Sequence, residues 1–257
     1  MTGDIIVEQA PENVRVLTIS RPARMNALTS SAVAELLAAL DESVEDRAGA
    51  VVLTGAGDRA FGAGLDVREH ATASVTERDD TQNLFTKLHR TLADFPIPII
   101  AAVNGIAAGA SFQFALHCDL MVIGKHAKVG LPELSAGLPC ILGSWLLERR
   151  LGPALTADLV LTGRWLSAGE AVELGLAARI VEPGEERAAA ESIAAEISSR
   201  DGEARAVTHE WLRRLRTGPS TSFADALTAA DLVLHDSNRS PDTNAADLRL
   251  RGGTTHA

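Results

Sequence analysis

Apolar residues in this 257-residue chain fall into two rhythms. Short β-branched runs bounded by Pro, Gly or Asn alternate with longer segments whose apolar positions recur every three or four residues. Ile5 to Glu8, Val14 to Ile19, Ala50 to Thr54 and Ile97 to Val103 read as strands, the first two paired around a Pro11-Glu12-Asn13 turn. Helical spacing predicts a helix capped by Thr29 or Ser30, with Val33, Leu36, Leu37, Leu40 and Val44 on its buried face. A second runs from about Thr81 to Asp94 with Leu84, Phe85, Leu88 and Leu92 as its stripe. Between Arg68 and Asp80 both rhythms fail, and the small, polar sequence reads as a mobile loop or a substrate lid. Helices opening at Gly143-Ser144-Trp145, at Pro153 and at the Ser167 cap, then a strand from Ala178 to Val181, lead to Pro183-Gly184. Beyond it come helices near 185–199, 203–216 and 220–236. The chain therefore reads as α/β: a core over 1–184, a helical region over 185–236, and a weakly ordered tail over 237–257.

Two strand-to-helix turns carry the candidate chemistry. After Ile97 to Val103 come Gly105, Gly109 and the small pair Ala110-Ser111, then a helix with Phe112, Phe114, Ala115 and Leu116. Such a turn leaves backbone N–H groups free at a helix N-terminus, where negative charge is stabilised. Phe61-Gly62-Ala63-Gly64-Leu65-Asp66 repeats the arrangement after the strand at Ala50, with Asp66 as the helix cap. Two such turns facing one carbonyl would form an oxyanion hole. Glu133 lies in the apolar setting Leu131-Pro132-Glu133-Leu134, downstream of Gln113. Anion-directed N–H groups with a single carboxylate suit enolate chemistry better than phosphate binding.

Several segments carry a family resemblance in register: Arg21-Pro22, Met25-Asn26-Ala27, Phe61 to Asp66, Ala102-Val103-Asn104-Gly105, Gly109, Cys118-Asp119, Leu131-Pro132-Glu133 and Leu161-Thr162-Gly163-Arg164. Together, over roughly residues 5 to 185, they resemble the crotonase superfamily of enoyl-CoA hydratase/isomerase-like proteins. The resemblance implies a crotonase-like spiral of ββα units with a C-terminal helical oligomerisation region, an acyl-CoA thioester as substrate, and a homo-trimer or dimer of trimers. It implies no cofactor beyond the coenzyme A carried by the substrate. Carried over by position, the oxyanion N–H groups fall on Leu65 and Ala110, and the paired hydratase carboxylates on positions 113 and 133. Substrate contacts fall on the loop of Arg24, Asn26 and Ala27, on Ala63, Gly64, Asp66 and Gly109, and on Cys140 in the loop after Glu133.

Position 113 departs from that pattern. Its amide can hydrogen-bond a water or a thioester but cannot exchange a proton as a carboxylate does. Isomerisation needs one base to carry a proton from C2 to C4, which Glu133 alone could supply. Decarboxylation of a malonyl-type thioester needs no base to reach the enolate. Here a narrower likeness enters: Phe112-Gln113-Phe114-Ala115-Leu116 with Pro132-Glu133-Leu134, Gly137 and Cys140 resembles carboxymethylproline synthases, which join decarboxylation to C–C bond formation. For that branch's substrate-binding histidine, His235 is the nearest candidate. The expected order is isomerase-type proton transfer, then decarboxylation with C–C bond formation, then hydration. A non-catalytic acyl-CoA-binding protein is the alternative outside enzymology.

Composition narrows the partners. A net charge of -10 and a pI near 5.2 argue against a nucleic-acid or anionic-membrane partner. Two cysteines, Cys118 and Cys140, are too few for a disulfide scaffold and fit a reducing cytosol. Met1 to Ala10 already reads as strand, so no leader is expected there. No apolar run reaches membrane-spanning length, and no His/Cys/Asp/Glu cluster has metal-ligand spacing. His117, one turn beyond Gln113, is read as a structural hydrogen-bonder, and Cys118 as a small apolar filler.

Overall fold

A computed structural model describes residues 3–217; the helix expected near 220–236, His235 and the tail over 237–257 lie outside the described residues. Six strands form one sheet: β1 (Ile5–Ala10), β2 (Val14–Ile19), β3 (Ala50–Gly55), β5 (Ile99–Val103), β7 (Leu120–Gly124) and β10 (Arg179–Val181), in that spatial order. Four short strands form a second: β4 (Ala60–Gly62), β6 (Ile106–Ala108), β8 (Lys128–Gly130) and β9 (Leu166–Ser167). Only the β1–β2 hairpin is antiparallel in the first sheet, and β4, β6 and β8 run parallel in the second.

The repeating unit is one strand in each sheet followed by a helix. β3 and β4 lead into α2 (Val67–Thr72) and α3 (Val75–Ala93). β5 and β6 lead into α4 (Ala110–His117). β7 and β8 lead into a 3-10 turn over Glu133–Ala136 and then α5 (Ile141–Leu151). This is the expected spiral of ββα units. Each passage from the first sheet to the second ends on a helix N-terminus, so the loops that carry the candidate chemistry stack on one side.

The central strands β3, β5 and β7 are buried along nearly their whole length and mostly apolar because both faces are covered. Val51, Leu53, Ile99, Ala101, Val103, Met121 and Ile123 face the main core, which is closed by α1 (Ser30–Glu45) and α3. Their alternating neighbours Ala50, Val52, Ile100, Ala102 and Val122 face outward, against Ala190, Ile193 and Ala194 of α8 (Glu186–Ser198). Without α8 this second apolar face would meet water. The compact unit accordingly runs from Met1 to Ser199, past the boundary drawn after residue 184, and α9 (Gly202–Thr217) belongs to a second unit. Helices α6 (Pro153–Thr162) and α7 (Ala168–Glu173) complete the first unit.

Three expectations are corrected. The stretch from Arg68 to Asp80, read as a loop, is helical. Asp66 Oδ1 caps α2 by accepting the N–H groups of Arg68 and Glu69. Ser74 and Glu77 then form a capping box, so α3 begins at Val75 rather than Thr81. Val44 is 39% exposed; in the last turn of α1 the buried position is Ser43, whose hydroxyl donates to Ala39 O. Finally, α5 starts at Ile141, ahead of Gly143.

A histidine pair joins α3 to α4. His89 Nδ1 and His117 Nε2 lie 3.1 Å apart, one ring donating and the other accepting, and His89 packs on Phe114 at 4.8 Å between centroids. Burial lowers the His89 pKa to about 4, against about 6.5 in an unfolded chain. The unfolded state therefore binds more protons between these values. The resulting stability is fully present above about pH 6.5 and is lost as pH falls towards about 4, by up to about 3 kcal/mol. Urea midpoints of wild type and His89→Gln, compared at both ends of that window, are expected to show a smaller acid loss in the variant. An unchanged loss would remove His89 as its source.

Candidate active site

Two buried asparagines hold the loops that shape the site. Asn104, at the end of β5, donates from Nδ2 to the carbonyls of Gly55 at 2.7 Å and Gly57 at 2.6 Å. Asn26, with φ at 53°, accepts the Arg21 N–H on Oδ1 and donates from Nδ2 to Ala56 O and Ala60 O. Its side chain is thus engaged with backbone, and the N–H groups of Met25, Asn26 and Ala27 bond within the loop, which fixes its shape. Ala27 beside it is buried, whereas Arg24 and Ala63 are exposed.

The first turn places its donor by bridging. Leu28 N–H bonds Gly64 O at 2.8 Å and Asp66 N–H bonds Leu28 O at 2.9 Å, a parallel bridge between Leu28 and Leu65. Both bonds flank Leu65, so its own N–H points to the opposite edge. Asp66 is fixed in turn by Arg21, whose Nη1 donates to Asp66 Oδ2 at 3.0 Å and also to Ala27 O. Burial alone would raise the Asp66 pKa; the Arg21 bond and the N–H groups of Glu69 and Arg68 outweigh it, and the net shift is downward.

The second turn meets the first at Gly64. Ala110 N–H heads α4, where the helix offers it no acceptor. Gly64 has φ at +83°, and a Cβ there would stand 2.9 Å from Ala108 O and 3.2 Å from Ala110 N. Only glycine lets the two turns approach this closely. Ser111 joins them directly, its Oγ accepting the Gly64 N–H at 3.0 Å.

Glu133 arrives from the 3-10 turn beside this assembly. A Cβ on Gly109 would lie 3.6 Å from Glu133 Oε1, which puts the carboxylate against the start of α4. Gln113, one turn into α4, donates from Nε2 to Glu133 Oε1 at 2.7 Å. Glu133 Oε2 is buried and makes no hydrogen bond. The carboxylate thus has one oxygen anchored and one lone-pair-bearing oxygen uncommitted, the arrangement a proton acceptor needs. Burial, then the Glu133 charge and a side-chain hydrogen bond to that carboxylate, push the Cys140 thiol up to about 11, which favours the thiol over the nucleophilic thiolate. Gly143 of α5 packs against this pair: a Cβ there would be 2.7 Å from Cys140 Sγ and 3.3 Å from Gln113 Nε2. Leu65 also lines a polar cavity of about 200 Å³ with Ser30, Glu69, His70 and Thr81, so the segment read as a loop walls a cavity instead.

The residue pattern of the enoyl-CoA hydratase/isomerase family matches residues 9–227. The chain belongs to that family, within the crotonase superfamily. A short-chain-enoyl-CoA hydratase from Clostridium acetobutylicum is 35% identical, over 77% of this chain and 76% of its own length. A crotonyl-CoA hydratase from Syntrophomonas wolfei is 33% identical over 78% of each. The crystal structure of an enoyl-CoA hydratase from Bacillus anthracis superposes with a TM-score of 0.85 at 27% identity, covering 93% of this chain and 92% of that one. Among the described residues no group of side chains is placed to hold a metal ion, and no helix is long and apolar enough to cross a membrane.

Within this crotonase fold, Leu65, Ala110, Gly64, Gly109, Gln113, Glu133 and Cys140 converge, while Arg24 and Ala63 are exposed. Sequence reasoning passed over Arg21, Ser111 and Gly143. Arg21 was read as part of a family-like segment with no role of its own, and Ser111 only as a small residue. Their roles depend on partners 45 and 47 residues away, which no local pattern reports.

Proposed function

We propose that the chain acts on an acyl-CoA thioester, holding its enolate oxygen with the N–H groups of Leu65 and Ala110 while Glu133 alone moves the proton. The reaction read as best supported is isomerase-type: Glu133 takes a proton from C2 of a 3-enoyl thioester and returns it to C4, shifting the double bond. The observation that carries this is the Gln113 Nε2–Glu133 Oε1 bond, which leaves Oε2 as the single uncommitted carboxylate oxygen. The loop of Arg24, Asn26 and Ala27, with Ala63, Gly64, Asp66 and Gly109, would hold the coenzyme A portion, and the assembly would be a trimer or a dimer of trimers. Coenzyme A enters with the substrate and no resident cofactor takes part.

Two other outcomes compete on specific grounds. The hydratase names of the relatives favour water addition. The Gln113–Glu133 pair favours decarboxylation of a malonyl-type thioester followed by C–C bond formation. Incubating the protein separately with 3-enoyl-CoA, malonyl-CoA and crotonyl-CoA separates the three. The fastest turnover is expected with 3-enoyl-CoA. Faster loss of CO₂ from malonyl-CoA would replace the isomerase reading, and failure of calorimetric titration to detect any CoA ester would remove the acyl-CoA assignment itself.

A further inference from the structure

Ser111 is fully buried in the first turn of α4, immediately after Ala110. Its hydroxyl accepts the N–H of Gly64, immediately before Leu65. The residue after one oxyanion donor therefore grips the residue before the other. Gly62 supplies the room: a Cβ there would lie 2.8 Å from Ser111 Cβ and collide with its Oγ. The serine thus occupies space that any other residue at position 62 would fill. We propose that Ser111 is a positioning residue that sets the spacing between the Leu65 and Ala110 N–H groups, so that both reach one thioester oxygen. This rests on the acyl-CoA reading above.

The bond ties together two turns, 47 residues apart in sequence, that belong to successive ββα units. The Arg21–Asp66 bond fixes the residue after Leu65, and Ser111 fixes the residue before it. Removing the hydroxyl leaves Ala110 at its helix terminus and the Leu65 turn held to Leu28 through Gly64 O and Asp66 N–H. It deletes the side-chain bond that ties that turn to α4, so the two donors can shift relative to each other. A misplacement of about 1 Å in a positioned group costs up to roughly 100-fold in rate.

The test uses butyryl-CoA labelled with ¹³C at the thioester carbonyl, which binds without a double bond to move. Infrared difference spectra of the wild type are expected to show the carbonyl stretch displaced to lower wavenumber by the two donors. Ser111→Ala is expected to lose most of that displacement, and its kcat on 3-enoyl-CoA to fall about 10–100-fold with KM little changed. Gly62→Ala, which pushes the hydroxyl away from Gly64 while keeping it in the chain, is expected to lose the displacement too and serves if Ser111→Ala does not fold. A variant with lowered Tm but a full carbonyl displacement and wild-type kcat would reduce Ser111 to packing and overturn the proposal. A wild type that shows no displacement with bound butyryl-CoA, or does not bind it, would overturn the acyl-CoA reading beneath it.

Discussion

Glu133→Gln is expected to lower turnover of 3-enoyl-CoA by about 10²–10⁴-fold, the usual contribution of a positioned acid or base, while CoA thioester affinity stays near wild type. The substitution is isosteric, and its amide oxygen can still accept the Gln113 Nε2 bond that anchors the carboxylate. The lost property is the proton affinity of Oε2, the oxygen that is buried without a hydrogen bond. Binding should survive because the proposed thioester contacts are main-chain N–H groups at Leu65 and Ala110, which no side-chain change at 133 removes. Cys140 cannot take over, since burial and the neighbouring carboxylate keep its thiol protonated to about pH 11. Steady-state kinetics beside a calorimetric titration checks both halves. Turnover like the wild type in this variant would take Glu133 out of the mechanism.

The parts of this molecule legible in one dimension are those whose cause is local. Strand β3 alternates Ala50 and Val52 with Val51 and Leu53 because both faces are covered, and the run is apolar from Ala50 to Leu53. Asp66 reads as a cap because its carboxylate bonds N–H groups two and three residues on. The start of α3 was hidden for the opposite reason. From Val75 to Asp80 the helix exposes all six side chains, so no apolar stripe marks it, and only the Ser74–Glu77 capping box announces it. α8 was separated from the core by Pro183-Gly184, although its alanine-rich face is what keeps Val52, Ile100 and Val122 dry. In the site, Gln113 and Glu133 were visible through a family resemblance. Their contact, and the grip of Ser111 on Gly64, belong to the superposition of successive ββα units, which spacing alone does not report.

Wild-type hydration of crotonyl-CoA is expected to be weak, and Gln113→Glu is expected to raise it. Adding water across an enoyl thioester requires one group to take a proton from water and another to deliver one to C2. With Gln113 donating to Glu133 Oε1 at 2.7 Å, the pair has a single ionisable member. A glutamate at 113 would set two carboxyl groups in that same contact. Like charges so close cannot both ionise, so one carboxyl would hold a proton near neutrality while the other stayed anionic. That division supplies the acid and the base that hydration needs. The exchange is nearly isosteric, which matters because Phe112 and Phe114 are fully buried on either side and Gly143 leaves only a narrow space beside the amide. Monitoring loss of the enoyl absorbance of crotonyl-CoA compares the two proteins directly. Efficient wild-type hydration, with kcat/KM near the roughly 10⁴–10⁸ M⁻¹s⁻¹ of capable enzymes, would mean that an amide at 113 is no obstacle. The activity named for the Clostridium acetobutylicum and Syntrophomonas wolfei relatives would then stand ahead of double-bond migration for this chain as well.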